Sequence, residues 1–458
     1  MLRDTIAAIA TGPARSAVGI IRVSGPGAIA AVQGVFRTKS GRGLAECPGR
    51  LVLGTLLDAA GAPIDQAMAV CAKGPRSYTG EDTAELHCHG SPAVLALALE
   101  ALFGQGARQA EPGEFTRRAF LNGKLDLMQA EAVADLIDAE TAQAARCAGG
   151  QLAGVLSRRI QGVYGGLVDV SAHFHAVLDY PDEDIDPFGA ETLDRALGTA
   201  EEDLSALLAT YRRGRLLAGG IPCAIVGRPN AGKSSLLNAL LGYERAIVAD
   251  LPGTTRDTVE ERCTFGGALL RLIDTAGIRD TADAVERLGV ERSRQALAGA
   301  ELVLVLADRT RPLTEEDAAL LAQAAQGGRQ VIFVQTKADL PGEDRPAPVI
   351  EGKALPTVCV SSATGAGLEA LEAAVSACFP PDEAQDRGEM LTNPRQAQGA
   401  LRARDSIRAA RAALSAGMTP DAVLVDVEDA MDALGQLTGR SLREDVTNRI
   451  FQRFCVGK

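Results

Sequence analysis

The spacing of apolar positions changes twice along the chain, and each change marks an expected boundary. Over residues 1–120, short β-branched runs such as Val18-Gly-Ile-Ile-Arg-Val23 sit between Gly and Ser, and helical spacing follows at Ala93–Leu102. That mixture predicts an α+β domain. From Lys124 the apolar residues Leu125, Met128, Ala132, Leu136 and Ile137 fall at three- and four-residue steps, and Leu193, Leu197, Leu204 and Leu208 resume the spacing. Such steps put one apolar stripe on each helix, so residues 121–218 are expected to be helical. Between them Asp179–Pro187 is an acidic, turn-rich insertion, whose run Asp182–Asp186 reads as a solvated loop.

Gly219-Gly220 opens a different style. Apolar strand-like runs at Cys223–Gly227, Leu269–Asp274, Leu302–Asp308, Val331–Lys337 and Val358–Ser361 alternate with helical stretches. Alternation of this kind predicts a mostly parallel sheet. The block ends at Phe379-Pro380-Pro381, and from about Arg395 the chain is helical again, broken at Gly417-Met-Thr-Pro420. The expected organisation is an α+β domain (1–120), then a helical domain whose halves (121–218 and 381–458) flank an inserted α/β domain (219–380). No internal repeat is visible.

A length of 458 residues agrees with several domains of roughly 150 residues each. Hydrophobic residues at 46% and charged residues at 23% are ordinary for a globular protein. No run approaches the ~20 apolar residues of a membrane span, and Met1–Thr5 lacks the pattern of a signal peptide. Nine scattered cysteines, an odd count, suit a reducing compartment, so a cytoplasmic protein is expected. The net charge of −12 argues against a simple basic nucleic-acid binder. Residues 1–120 carry 12 basic against 10 acidic side chains, whereas 220–380 carry 16 against 21. A polyanion partner would therefore need a local basic patch or a second protein.

The strongest chemical signal is Gly227-Arg-Pro-Asn-Ala-Gly-Lys233-Ser234, which matches G-x-x-x-x-G-K-[ST] between an apolar strand and the helical stretch Ser235–Leu241. In that setting glycines let backbone N–H groups close around phosphates, a lysine reaches the β/γ-phosphates and the serine hydroxyl binds magnesium. Three further pieces follow in GTPase order. Thr254-Thr255-Arg256-Asp257 lies where a switch threonine can reach the magnesium and γ-phosphate, and Asp274-Thr275-Ala276-Gly277 closes an apolar strand. Thr336-Lys337-Ala-Asp339 offers a carboxylate to the two guanine N–H groups, and Ser361-Ser362-Ala363 offers backbone to the base. Two departures stand out. Thr336 occupies the place where such a motif usually begins with Asn, which questions the rigidity of that loop. Ile278 follows Gly277, where Ras-like enzymes carry a water-positioning glutamine, so the hydrolytic group must come from elsewhere.

Across essentially its whole length the sequence resembles the MnmE (TrmE) family of tRNA wobble-uridine modification GTPases. The marks are Gly19-Ile-Ile-Arg-Val-Ser-Gly25, Tyr78-Thr-Gly-Glu-Asp82, Pro112-Gly-Glu-Phe-Thr-Arg-Arg-Ala-Phe-Leu-Asn-Gly-Lys124, the phosphate loop and the terminal Cys455-Val-Gly-Lys458. The resemblance implies a homodimer built through a folate-binding N-terminal domain. A 5-formyl-tetrahydrofolate-type donor would meet Arg22, Glu81, Lys124 and Lys458. It also implies nucleotide contacts from Asn230, Ala231, Gly232, Lys233, Ser234 and Ser235, and from Ala249, Asp250, Leu251, Pro252, Gly253, Thr254 and Thr255. Asp274 to Gly277, Thr336, Lys337, Asp339 and Ser361 to Ala363 complete that set. Magnesium would be held at Ser234 and Thr255, and potassium, in the role of an arginine finger, at Asn230, Ala249, Leu251 and Thr254. Glu286 matches the family's catalytic glutamate, and an FAD-binding MnmG (GidA) partner would supply much of the tRNA-binding surface.

By residue chemistry alone Glu286 is as readily a helix-start residue, and Arg22, Glu81 and Lys124 are as readily solvated charges. His87 and His89 flank Cys88 on one strand but lack the further ligands a zinc site needs. Cys455 is fourth from the end, yet Lys458 follows and no polybasic stretch precedes it, against a prenylation box. The rival class is an RNA-associated switch GTPase of the ribosome-assembly kind. The inserted domain fits both, and the N-terminal segment with the terminal CVGK favours modification chemistry.

Overall fold

The computed structural model describes residues 4–179, 190–243, 261–273, 297–342, 345–380, 387–440, 450–451 and 454–457. The chain falls into two compact units, one of Met1–Ile137, Gln151–Leu204 and Gly399–Lys458, the other of Asp138–Gly150 and Ser205–Gln398.

In the first unit, β1 (Thr5–Ile9), β2 (Ser16–Ser24), β3 (Phe36–Thr38), β4 (Val52–Leu57), β5 (Pro63–Ala72), β6 (Thr83–Gly90) and β7 (Ala107–Gln109) form one sheet in the order β3-β4-β5-β6-β2-β1-β7. Every neighbouring pair is antiparallel except β1 and β7. Strand β6 shows why one face is buried. Ala84, Leu86 and Cys88 are buried while Glu85 and His87 between them are partly exposed, the period-two alternation of a one-sided sheet. The buried face packs against α1 (Ala28–Val35) and α2 (Pro92–Gly104) through Ala28, Val32, Leu95, Ala98 and Leu102.

Helices α3 (Glu114–Leu121), α4 (Leu127–Ile137), α5 (Ala142–Leu152), α6 (Val155–Asp179) and α7 (Ala190–Gly219) follow. Gly113 precedes α3 at φ 67, and a Cβ there would stand 2.5 Å from the Phe451 carbonyl oxygen. Only glycine satisfies both constraints. The C-terminal residues lie on this part of the unit: Pro112 bridges Val456, and the Gly113 N–H donates to the Cys455 carbonyl at 3.3 Å.

The second unit holds a six-stranded sheet of β8 (Ile221–Gly227), β9 (Glu261–Phe265), β10 (Ala268–Leu272), β11 (Leu302–Asp308), β12 (Gln330–Thr336) and β13 (Thr357–Val360), ordered β13-β12-β11-β8-β10-β9. All neighbours are parallel except the hairpin of β9 and β10. Its turn is Gly266-Gly267, with φ of 63° and 73°; both residues are left-handed, as the favoured two-residue hairpin turn requires. Strands β8 and β11 are covered on both faces, so they are unbroken apolar runs rather than alternating ones. Helices α8 (Lys233–Tyr243) and α10 (Leu368–Cys378) cover one face, and α9 (Glu315–Ala325) the other. Because the strands are parallel, the C-terminal ends of β8, β11, β12 and β13 deliver Gly227, Asp308, Thr336 and Val360 to one edge. That edge is where ligands meet open α/β sheets.

The chain closes with α11 (Pro394–Ser415) and α12 (Pro420–Thr438). Within the first unit α12 packs along α6, and Arg411 on α11 bridges Asp194 and Glu201 on α7 at 2.8 Å each. The inserted position of the α/β block and the flanking helices are thus as the apolar spacing predicts.

Candidate functional site

The segment after β8 turns sharply and starts a helix at Lys233. Asn230 adopts φ 64 and Gly232 φ 91. Two left-handed residues around Ala231 curl the backbone into a cradle whose N–H groups and helix N-terminus attract anions. The Lys233 ammonium lies inside the curl, donating to the carbonyls of Gly227 at 2.8 Å and Arg228 at 2.9 Å. Burial lowers its pKa from the ordinary lysine value. Arg228 anchors the outer side of the loop on Glu316, 3.1 Å away at the start of α9.

Thr336 resolves the doubt raised by the missing asparagine. Its buried hydroxyl donates to the Ala231 carbonyl at 2.7 Å, with the Ala307 carbonyl at 3.3 Å. A threonine at the end of β12 therefore ties the phosphate-type loop to the base-type loop. Next to it, Lys337 takes φ 59 and its ammonium pairs with Asp308 Oδ2 at 2.6 Å. Burial works to raise the Asp308 pKa, but hydrogen bonds from Lys337 and Thr310 outweigh it and hold it at about 2. Ser361 Oγ donates to Asp339 Oδ1 at 2.6 Å, and the Ala338 N–H donates to the Val360 carbonyl. The Ser361 hydrogen bond keeps the Asp339 carboxyl below its ordinary pKa. Asp339 is thus an ionised, oriented acceptor beside the turn of Ser361, Ser362 and Ala363.

The structure brings together Asn230 to Ser235, Thr336, Lys337, Asp339 and Ser361 to Ala363 on one sheet edge. The expected contributions of Ala249 to Thr255, Asp274 to Gly277, Glu286 and Lys458 lie outside the described residues. Sequence reasoning missed Asp308; its signal was a single acid ending a strand of six apolar residues.

In the first unit Arg22, Glu81 and Lys124 converge on the 73–82 loop. Arg22 pairs with Glu85 at 2.9 Å, its cross-strand neighbour in register, and lies over the rings of Tyr78 (5.6 Å) and Phe115 (5.9 Å). Lys124 Nζ donates to the Pro75 carbonyl at 3.1 Å. Glu81 accepts from Ser24 Oγ at 2.8 Å and from Arg118 at 3.1 Å. Arg118 is also bound to Asp4 and Glu114, each at 2.9 Å, and Arg108 pairs with the same two carboxylates. This network went unread: Arg117-Arg118 in a stretch of small and aromatic residues was the only hint. His87 and His89 are taken up by Glu85 and Asp65.

A strand, a left-handed loop and a helix starting at a half-buried lysine, with an oriented carboxylate on the same edge of a parallel sheet, define a P-loop nucleotide-binding protein. The GTP-binding protein TrmE N-terminus family matches residues 5–124 and the MnmE helical domain family residues 127–455. The tRNA modification GTPase MnmE of Thermus thermophilus is 44% identical over 459 residues, and that of Heliobacterium modesticaldum 42% over 469, each covering 100% of both chains. Among solved structures, the G domain of the T. maritima FeoB iron transporter matches 34% of this chain and 98% of its own, at 28% identity and a TM-score of 0.24. The chain belongs to the MnmE family of tRNA modification GTPases.

Replacing Asp339 by Asn turns a carboxylate acceptor into a donor amide, which tests the expectation that Asp339 accepts from the guanine N–H groups. GTP affinity should fall by roughly two orders of magnitude or more while xanthine nucleotides gain affinity. Competitive binding of GTP and XTP to the variant measures this, and unchanged GTP affinity would remove Asp339 from base recognition.

Proposed function

We propose that this GTPase is activated by potassium and, with an FAD-binding MnmG (GidA)-type partner, installs an aminomethyl or carboxymethylaminomethyl group at C5 of the wobble uridine of certain tRNAs. The observation that carries the reading is the braced nucleotide site, in which Thr336 holds Ala231 while Ser361 orients Asp339. In this reading Lys233 and the loop N–H groups hold the β/γ-phosphates, and Asp339 reads guanine. The chain works as a cytoplasmic homodimer. Its domains are the folate-binding and dimerisation domain of residues 1–120, the helical halves 121–218 and 381–458, and the G domain 219–380. No helix among the described residues is long and apolar enough to cross a membrane.

Ser234, Asn230, Arg22, Glu81 and Lys124 support this reading by their chemistry and placement. Ser234 stands in the first turn of α8 directly after Lys233, where its hydroxyl would help hold a magnesium ion, and Thr255 would be the second ligand. Asn230, held left-handed in the loop, belongs with Ala249, Leu251 and Thr254 to the potassium site. When bound there, the cation would supply the positive charge that an arginine finger supplies elsewhere. Glu286 positions the attacking water, since Ile278 cannot. Arg22 over two rings, the fixed Glu81 carboxylate and Lys124 around one loop suit a flat pterin and an anionic glutamate tail, and Lys458 is the fourth residue of the proposed set. A 5-formyl-tetrahydrofolate-type molecule is the proposed one-carbon donor. The acidic chain meets tRNA through basic surface that the partner provides.

Two outcomes are expected. Hydrolysis should run roughly tenfold or more faster in potassium than in sodium at matched ionic strength, with the difference abolished by Asn230→Ala. Equal rates for the wild type would remove the ion from the mechanism. Deleting the gene should leave tRNA with unsubstituted wobble uridine on nucleoside analysis. The wild-type chain should restore the modification and Glu286→Ala should not, although it binds GTP. A normal nucleoside profile in the deletion would refute the modification reading.

A further inference from the structure

We propose that Arg118 and Ser24 are positioning residues that fix the Glu81 carboxylate for the pterin end of the folate, a role that rests on the folate reading above. Arg118 is 1% exposed and Glu81 15%, so the pair lies inside the domain with one edge of the carboxylate reaching the surface. Glu81 Oε2 takes hydrogen bonds from Ser24 at 2.8 Å and Arg118 at 3.1 Å, whereas among the described residues Oε1 has only Arg118 at 3.4 Å. The two oxygens are therefore loaded unequally. Oε2 is spent on bracing, and Oε1 keeps acceptor capacity for an outside donor.

Folding alone gives little reason for this arginine. A buried ion pair contributes little over an apolar side chain of similar volume, and Arg108 already joins Asp4 to Glu114 without it. What Arg118 adds is the link from that cluster to Glu81. Its planar fork bonds Asp4 and Glu114 with one nitrogen and Glu81 with the other, so the carboxylate is set relative to β1 and α3 together. Ser24 fixes the second direction from β2, two residues from Arg22 on the same face of that strand. A pterin presents N–H donors in a plane, and Oε1 of a carboxylate held from two sides accepts from one of them without the side chain losing further freedom on binding.

The test compares two probes on the full-length protein by ligand-observed NMR or calorimetry: 5-formyl-tetrahydrofolate, and p-aminobenzoyl-glutamate, which lacks the pterin. Arg118→Lys keeps the charge but not the fork. It should weaken the folate about tenfold or more while leaving the fragment's affinity and GTP hydrolysis unchanged. Ser24→Ala, which removes the smaller brace, should lose affinity in the same selective pattern and serves if Arg118→Lys does not fold. Equal losses for both probes would make the network a fold staple only, and no loss for either would overturn the assignment. Wild-type protein that does not bind the folate would sink the folate reading and this inference with it, a result distinct from the other two.

Discussion

One buried hydroxyl couples the two halves of the nucleotide site. Thr336 Oγ1 donates to the carbonyl of Ala231 at 2.7 Å, and each of these residues adjoins a left-handed non-glycine, Asn230 before Ala231 and Lys337 after Thr336. Such conformations persist only where the surroundings over-determine them. Here the surroundings are the parallel sheet, which fixes the ends of β8 and β12, and the hydrogen bond that joins the loops leaving them. Lys337 is further held by Asp308, and Asp339 by Ser361. The loops that leave β8 and β12 are thus parts of one braced assembly. Removing the hydroxyl would leave a buried carbonyl without this partner, a loss of about 1–3 kcal/mol.

The N-terminal unit uses charge differently. Asp4, Glu81, Glu114, Arg108 and Arg118 form a linked cluster of three acids and two bases, most of it withdrawn from water. Burial acts to raise the Glu114 pKa, and the hydrogen bonds from Arg108, the Glu111 backbone and Arg118 outweigh it, so its carboxyl stays below the ordinary value. The cluster orients side chains more than it stabilises the fold. It also explains why the charge count of residues 1–120 says little about the surface, because several of those charges are spent internally.

Much of this architecture was legible in the sequence, and the reason is periodicity. Strands buried on both faces, such as β8 and β11, are plain apolar runs, and the phosphate loop carries its own glycines and lysine. The helices flanking the inserted domain showed their three- and four-residue steps. What could not be read is what depends on a distant partner. Nothing local says that Thr336 reaches back over 100 positions to Ala231, that Asp308 claims Lys337, or that Arg118 is buried. The parallel pairing of β1 with β7, and the docking of Val456 on Pro112, are likewise long-range and leave no periodic trace. Thr336 is instructive: seen as a departure from an asparagine it suggested a looser loop, whereas its hydroxyl makes the tie.

The claim that this tie governs the nucleotide site is tested by the dissociation rate of a fluorescent GDP from Thr336→Val, a shape-conserving change that deletes only the hydroxyl. The rate should rise by roughly one to two orders of magnitude over wild type, and Thr336→Asn, which can remake the bond, should return it close to the wild-type value. Wild-type dissociation from Thr336→Val would contradict the account.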